Sequence, residues 1–193
     1  MNRLVSAAFA LCLAVPAMAQ DVAEPKSGTR FAVKDGSESL LGVGLRKKSI
    51  AKVYAVGLYV ADSALSGTLK GKAVTPELYQ EIVKGDFKKK IVMKFLRDVS
   101  ADQIRGGFRD ALKGAGEKSE VWIGYFTDIR SGQECVIAWT PGVGLETKVG
   151  GLGNPPLNDK VLASAVFGMW IGDKPIQDDI KRDLVARGGE LLH

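Results

Sequence analysis

Arg46 and Tyr54 are the residues whose types and spacing best suit the binding of an acid. Residues 40–46 and 50–60 are rich in strand-forming side chains, so we predict two strands here. Residues 46–49 would form the turn of the hairpin that joins these strands. Arg46 would end one strand close to Tyr54 on the next. A guanidinium binds a carboxylate through two parallel hydrogen bonds, and a phenol adds a further donor. A surface arginine beside a core tyrosine is the alternative that spacing alone leaves open.

Other familiar chemistries lack their residues. His193 is the only histidine, which excludes a Ser-His-Asp triad inside the fold, and Cys12 and Cys135 are too few for a cysteine-based zinc site. Cys135 lies in a predicted buried strand and has no histidine partner, so we expect an inert core thiol. The glycine pairs at 42–44 and 142–144 do not continue into a dinucleotide fingerprint. We predict no cofactor and no metal.

Charged clusters favour solvated surfaces. Asp178, Asp179 and Asp183 alternate with bases on a predicted last helix, which indicates a solvated face rather than an acid–base pair. The basic runs 46–48 and 88–90 are suited to nucleic acid or anionic lipid, but neither is interleaved with aromatic residues. We interpret most of these lysines as solvated turn residues and predict no nucleic-acid partner.

The chain has 193 residues, a net charge of +5 and 46% hydrophobic residues, which fits one globular domain. Residues 1–19 combine a basic start, a short apolar run and small residues before a cleavage point near Ala19, the pattern of a signal peptide. The alternative is a retained membrane anchor. We predict a flexible segment over 20–28, a single domain over 29–193 without a transmembrane segment, and a periplasmic or secreted protein.

The remaining pattern predicts an α+β fold with antiparallel hairpins and helices that cluster late in the chain. In the strand 50–60, alternate positions are small, which would let a helix or ligand approach closely. Strands are predicted at 40–46, 50–60, 88–95, 133–140 and 143–149. Helices are predicted from Thr75 to Lys84, after a capping box at Ser100, over 121–129 less clearly, from a cap at Asn158 to Gly172, and along Ile176, Ile180 and Leu184.

Several segments in order along the chain resemble the chalcone isomerase-like family, and in particular its bacterial, signal-peptide-bearing members close to the fatty-acid-binding branch. The resemblance spans roughly residues 29–187 and implies an open-faced β-sandwich, an antiparallel sheet covered on one side by helices. It also implies a cleft between the two layers with an arginine inside it. The segments are LGVGLR at 41–46, KVYAVGLYV at 52–60, FLRDVS at 95–100, WTPGVG at 139–144 and FGMWIGDKP at 167–175.

The resemblance assigns the family's arginine to Arg46, which in the isomerases stabilises a phenolate and in the fatty-acid binders holds a carboxylate. The other catalytic positions of the isomerases fall on Tyr54, a tyrosine as in the fatty-acid binders, and near Ser100, Gly107 and Met169. Gly107 and Met169 offer no side-chain donor for a developing enolate.

Our leading hypothesis is therefore an exported, non-catalytic protein that binds a fatty acid or similar amphipathic carboxylate in that cleft. Arg46 and Tyr54 would hold the headgroup, and Val56, Phe108, Met169 and Trp170 the tail. One alternative is an intramolecular lyase acting on a chalcone-like enone, with Arg46 as its anchor. Another is a structural or interaction protein whose cleft is filled by its own side chains, with Met169 and Trp170 as plain helix core.

Overall fold

The computed structural model describes residues 20–193, and it is α+β as predicted. A seven-stranded antiparallel sheet has the order β3-β4-β5-β6-β7-β8-β9, and β1 and β2 form a separate hairpin. The strands are β1 (Asp21–Ala23), β2 (Arg30–Ala32), β3 (Lys34–Asp35), β4 (Glu38–Lys48), β5 (Ala51–Ala61), β6 (Lys89–Phe95), β7 (Glu134–Thr140), β8 (Gly144–Val149) and β9 (Leu152–Leu157). The helices are α1 (Asp62–Leu65), α2 (Pro76–Lys84), α3 (Ala101–Ala111), α4 (Glu117–Gly124), α5 (Lys160–Ile171), α6 (Asp178–Asp183) and α7 (Gly188–Leu191).

The helices and the main hydrophobic core lie on one face of the sheet. Tyr54, Val56, Leu58 and Val60 of β5 point into this core, where the hydrophobic side chains of α5 meet them. The opposite face carries only a small cluster, which includes Leu40, Tyr59 and Val92 under Phe31 of the β1–β2 hairpin.

The small positions of β5 face this second cluster and not the helices. A Cβ added at Gly57 would lie 2.8 Å from the Phe31 ring. The close approach that the sequence predicts for this face is therefore made by an aromatic side chain of the N-terminal hairpin. Gly42 and Gly44 of β4 are the small residues that face a helix, namely α6.

The boundaries of most predicted elements agree with the structure, but the β4–β5 turn consists of Ser49 and Ile50, so the prediction of a turn over 46–49 was wrong. Helix α2 spans 76–84, and Ser100 and Gln103 form both hydrogen bonds of the predicted capping box. The cap of α5 is Asp159, whose side chain accepts from the Leu162 N–H, so the prediction of Asn158 was wrong by one residue. The less regular pattern after residue 121 forms only the end of α4.

Strand β9 has no counterpart in the prediction. It contains Pro155 and Pro156, which cannot donate to a ladder and argue against an internal strand. The structure places β9 at the edge of the sheet, where it pairs with β8 on one side only. An edge position tolerates the missing donors.

The basic run 88–90 is not a solvated turn. Lys89 and Lys90 lie in β6 and are buried, so that part of the sequence prediction was wrong. The Lys89 ammonium donates to the carbonyls of Ile82, Val83 and Gly85 at the end of α2. A buried ammonium is tolerated here because a helix C-terminus presents unpaired carbonyls to it.

The start of the described chain has regular structure. Residues 21–23 form β1, and the buried Glu24 carboxylate accepts hydrogen bonds from the Lys26 and Ser27 N–H groups. The flexibility expected for 20–28 stays a prediction. The predicted signal peptide, residues 1–19, lies outside the described residues. From residue 20 onwards, none of the helices has the length and apolar character needed to cross a membrane.

Candidate functional site

Arg46 and Tyr54 are direct cross-strand partners in the β4–β5 hairpin. Residues directly opposite each other in an antiparallel pair point to the same face of the sheet. Tyr54 belongs to the helix-side core, so Arg46 also points toward the helices. The hairpin predicted from sequence thus brings a guanidinium and a phenol to one place between the layers.

The Arg46 guanidinium is held by neutral acceptors. Its Nη1 donates to the Ile176 carbonyl and to Gln177 Oε1, both at 3.2 Å. Among residues 20–193, no carboxylate oxygen lies within 4.0 Å of an Arg46 guanidinium nitrogen, so Arg46 forms no ion pair there. This half-buried cation therefore has its orientation fixed by the chain but its charge left without a counter-charge.

Gln177 fixes that orientation from the start of α6. Its side-chain amide accepts from the Lys47 N–H at 3.0 Å and donates to the Leu45 carbonyl at 3.0 Å. A glutamine that pairs with two backbone groups of β4 cannot swing away without leaving both unpaired. Sequence reasoning missed Gln177 because its partners lie more than 100 positions earlier and no local pattern marks it.

Tyr54 is buried with its hydroxyl beside Trp170. The Trp170 indole N–H donates to the Tyr54 oxygen at 3.2 Å, and the Phe95 ring packs against the tyrosine at 5.3 Å between centroids. Burial raises the pKa of Tyr54 to about 12, although the Trp170 bond and the Arg46 charge oppose the shift. The phenol is therefore neutral, and its own proton has no acceptor within hydrogen-bond distance in the described chain.

The four apolar residues predicted for a ligand tail all lie in the helix-side core. Phe108 of α3 meets the Trp170 ring edge-on at 6.1 Å between centroids, and Val56 and Met169 belong to the same cluster. The Trp122 and Phe126 rings also pack against Phe108, at 5.2 and 4.8 Å between centroids. The structure thus brings Tyr54, Phe108 and Trp170 together in a closely packed arrangement.

Three further positions carried over from the isomerases, Ser100, Gly107 and Met169, have another task or no functional group. The Ser100 hydroxyl accepts from the Gln103 N–H as the cap of α3. Gly107 faces open space, and Met169 is buried with no donor. Neither Gly107 nor Met169 has a side chain able to position a reacting enone or a water molecule.

A separate groove of about 470 Å³ lies on the open face of the sheet. It is lined by lysines and carboxylates over a floor that includes Val92, Val136 and Ala138. Lys90 bridges Asp35 and the buried Glu38, at 2.8 Å from an oxygen of each. A second groove of about 530 Å³ runs beside the end of α2, and neither groove is lined by Arg46, Tyr54 or the four apolar residues.

The chain has relatives among known proteins. Residues 19–186 match the model of a family described as chalcone isomerase-like. Chalcone isomerase-like protein 1 of Humulus lupulus is 34% identical over 176 residues, which cover 78% of this chain and 82% of that protein. Fatty-acid-binding protein 1 of Arabidopsis thaliana is 24% identical over 203 residues, covering 89% of this chain and 72% of that one.

The crystal structure of an Arabidopsis thaliana fatty-acid-binding protein has the same fold. It superposes with a TM-score of 0.74 over 90% of this chain and 99% of that chain, at 20% sequence identity. The fold, the family match over most of the chain and the relative from hop agree with one another. The chain therefore belongs to the chalcone isomerase-like family.

Proposed function

We propose that the protein binds a fatty acid or a similar amphipathic carboxylate between its sheet and its helices, without catalysing a reaction. The carboxylate would lie on Arg46 and Tyr54, and the alkyl chain would extend along Val56, Phe108, Met169 and Trp170. The proposal includes export of the mature chain after cleavage of residues 1–19. A relative that is named as a fatty-acid-binding protein supports the ligand class.

The observation that carries the proposal is a positive charge without a counter-charge between the layers. Arg46 Nη1 is bound by two neutral oxygens. A carboxylate that arrived beside it would gain a charge-assisted hydrogen bond and displace no acidic side chain. The neutral Tyr54 hydroxyl supplies a second donor to the same oxygens, since Tyr54 lies directly opposite Arg46.

An alkyl chain needs space that the closed arrangement fills with side chains. Helix α3 is suited to open, because Ile104 and Phe108 are its only residues buried within the helix. Its other contacts include the exposed Arg109–Glu120 ion pair at 2.8 Å and a partly buried hydrogen bond from Arg105 Nε to the Phe126 carbonyl. Elements with few buried contacts open at low free-energy cost, so we expect α3 to move outward when the tail enters.

The same packing favours a second candidate function. If the aromatic cluster of Phe108, Trp122, Phe126 and Trp170 never opens, the space between the layers is simply core. The protein would then act as a structural or interaction protein, and Arg46 would serve to fasten α6 to β4 through Ile176 and Gln177.

Calorimetric titration with palmitate separates these two functions. We expect the protein to bind palmitate but not methyl palmitate, because the ester has no charge for Arg46. Arg46→Gln should weaken binding about tenfold to a hundredfold through loss of the charge-assisted bond. Tyr54→Phe should weaken it about fivefold through loss of one donor.

Arg30→Gln is the matched control, because Arg30 is an exposed arginine on β2, and it should bind palmitate as the unmodified protein does. Thermal melting of each variant shows whether the fold is retained. Absence of palmitate binding by the unmodified protein, or unchanged affinity of a folded Arg46→Gln variant, would refute the proposed function.

A further inference from the structure

The end of the sheet at which β4 turns into β5 carries two strongly exposed aliphatic side chains. Because the sheet is antiparallel, the β4–β5 and β8–β9 turns lie at the same end of the strands. Ile50 is 94% exposed in the first turn and Leu152 is 76% exposed at the second. We call residues 47–52, 97–98, 130–132 and 150–152 the turn edge, since they all lie at this end of the sheet.

Both turns are tight, so Ile50 and Leu152 stay at this end of the sheet. Lys48 pairs with Ala51, which leaves two residues in the β4–β5 turn, and Val149 pairs with Leu152, which leaves two glycines in the other. Ser49 and both glycines have positive φ, as short hairpin turns require. The turns are four strand spacings apart, or about 19 Å.

The turn edge carries an excess of positive charge. Lys47, Lys48 and Lys52 flank Ile50, and Arg97 is exposed in the loop after β6. In the described chain, no carboxylate oxygen lies within 4.0 Å of a charged nitrogen of these four side chains, so none of them forms an ion pair there. The acid at this edge, Asp98, faces Arg130 at 3.9 Å.

We propose that the turn edge docks on an anionic lipid bilayer. Exposed aliphatic side chains beside lysines match a membrane surface, where the aliphatic groups enter the boundary between headgroups and acyl chains and the lysines attract anionic headgroups. Two turns about 19 Å apart along the sheet, each with an exposed aliphatic side chain, can touch a flat bilayer together. This surface deepens the proposed function and rests on it, because Arg46 lies only two residues before Lys48 on the same strand.

Docking in this orientation places the headgroup site near the bilayer. Arg46 and Tyr54 lie at the ends of β4 and β5 that are closest to the turn edge. A fatty acid that leaves the bilayer at this edge would reach the guanidinium first, and its tail would follow between the layers. The bilayer is therefore the source from which the protein takes its ligand.

Vesicle co-sedimentation tests the surface without any fatty acid. The probes are vesicles of equal parts phosphatidylcholine and phosphatidylglycerol, and vesicles of phosphatidylcholine alone. We expect binding to the anionic vesicles and little binding to the neutral ones. Lys47→Gln and Lys48→Gln should each lower the affinity about fivefold, and the double variant Ile50→Ser/Leu152→Ser about tenfold or more.

Val161→Ser is the matched control. Val161 is 75% exposed but lies at the opposite edge, beside Lys160, which pairs with Asp86 ahead of β6. Its vesicle affinity should equal that of the unmodified protein. All the substituted side chains are exposed or half-exposed, so thermal melting should show unchanged folds.

Three results would overturn the docking surface. The first is equal binding to neutral and anionic vesicles. The second is an equal loss of vesicle affinity in Val161→Ser and in Ile50→Ser/Leu152→Ser. The third is a dimer that forms without lipid and that the double variant abolishes, which would make the turn edge a contact between two copies of the chain. Palmitate titration of Ile50→Ser/Leu152→Ser in solution separates the two proposals. Its affinity should be unchanged, so failure of docking leaves the ligand site intact, and failure of palmitate binding leaves docking to be judged on vesicles alone.

Discussion

Replacing Gly42 by alanine should force α6 away from the sheet. A Cβ at this position would overlap the Asp183 carbonyl oxygen and lie 2.6 Å from the Leu184 carbonyl carbon, where ordinary contact begins at 3.4 Å. Both neighbours are backbone, so no side-chain rotation relieves the clash, and the end of α6 must retreat by roughly 1 Å. The backbone of Gly42 does not have positive φ, so the cost is purely steric.

Overpacking of this kind costs about 3 kcal/mol of unfolding free energy, the upper part of the usual range, because backbone rather than side chain must move. For a chain of this length that corresponds to a fall in melting temperature of about 6–12 °C. Urea unfolding measures the first quantity and thermal melting the second. Retreat of α6 should also loosen Gln177 from Arg46, because Gln177 stands at the start of that helix.

Gly44→Ala is the matched control. Gly44 also faces α6, but a Cβ there would be 3.5 Å from the Ile180 Cα, an ordinary contact. We expect its stability to lie within about 0.5 kcal/mol of the unmodified protein. If Gly42→Ala is as stable as Gly44→Ala, the close packing of α6 against β4 is wrong, and with it the account of how Arg46 is positioned.

Two further predictions concern stability. Burial lowers the pKa of the Lys89 ammonium to about 7, whereas a lysine in the unfolded chain has a pKa of about 10.4, so the unfolded chain binds more protons between these values. The free energy of unfolding should therefore rise with pH between about 7 and 10.4, and Lys89→Met should remove this rise. Urea unfolding at neutral and alkaline pH measures the free energy of unfolding of both proteins. An equal rise in the variant would contradict the assignment of this pH dependence to Lys89. Ser100→Ala should lower the free energy of unfolding by about 1 kcal/mol, because it removes the cap of α3. Urea unfolding measures this loss against the control Ser131→Ala, since Ser131 is exposed and its hydroxyl makes no hydrogen bond in the described chain. Equal stabilities of the two variants would show that the cap contributes nothing.

The parts of the site that neighbours in sequence create were predictable. The β4–β5 hairpin sets Arg46 opposite Tyr54 through one short turn, and the α3 cap depends on Ser100 and Gln103, three positions apart. Such interactions leave a local pattern of turn, cap and periodicity in the chain. The buried state of Cys135 was predictable for the same reason, since it lies within an apolar strand.

The burial of Lys89 and the formation of β9 were decided by the tertiary structure. Lys89 looks like a solvent-exposed residue in a basic run, and only the way the chain folds back from the end of α2 into β6 gives its ammonium three carbonyls. Strand β9 could form despite two prolines because the sheet ends there.

The sequence by itself determined the fold class, the hairpin and the identity of a candidate acid-binding arginine. Only the tertiary structure decided what surrounds Arg46 and Tyr54, because Gln177 reaches Arg46 and Trp170 reaches Tyr54 from distant segments when α6 and α5 pack on the sheet. Local patterns record how each segment satisfies its own backbone, whereas a contact between distant segments depends on shapes that exist only after the layers have come together.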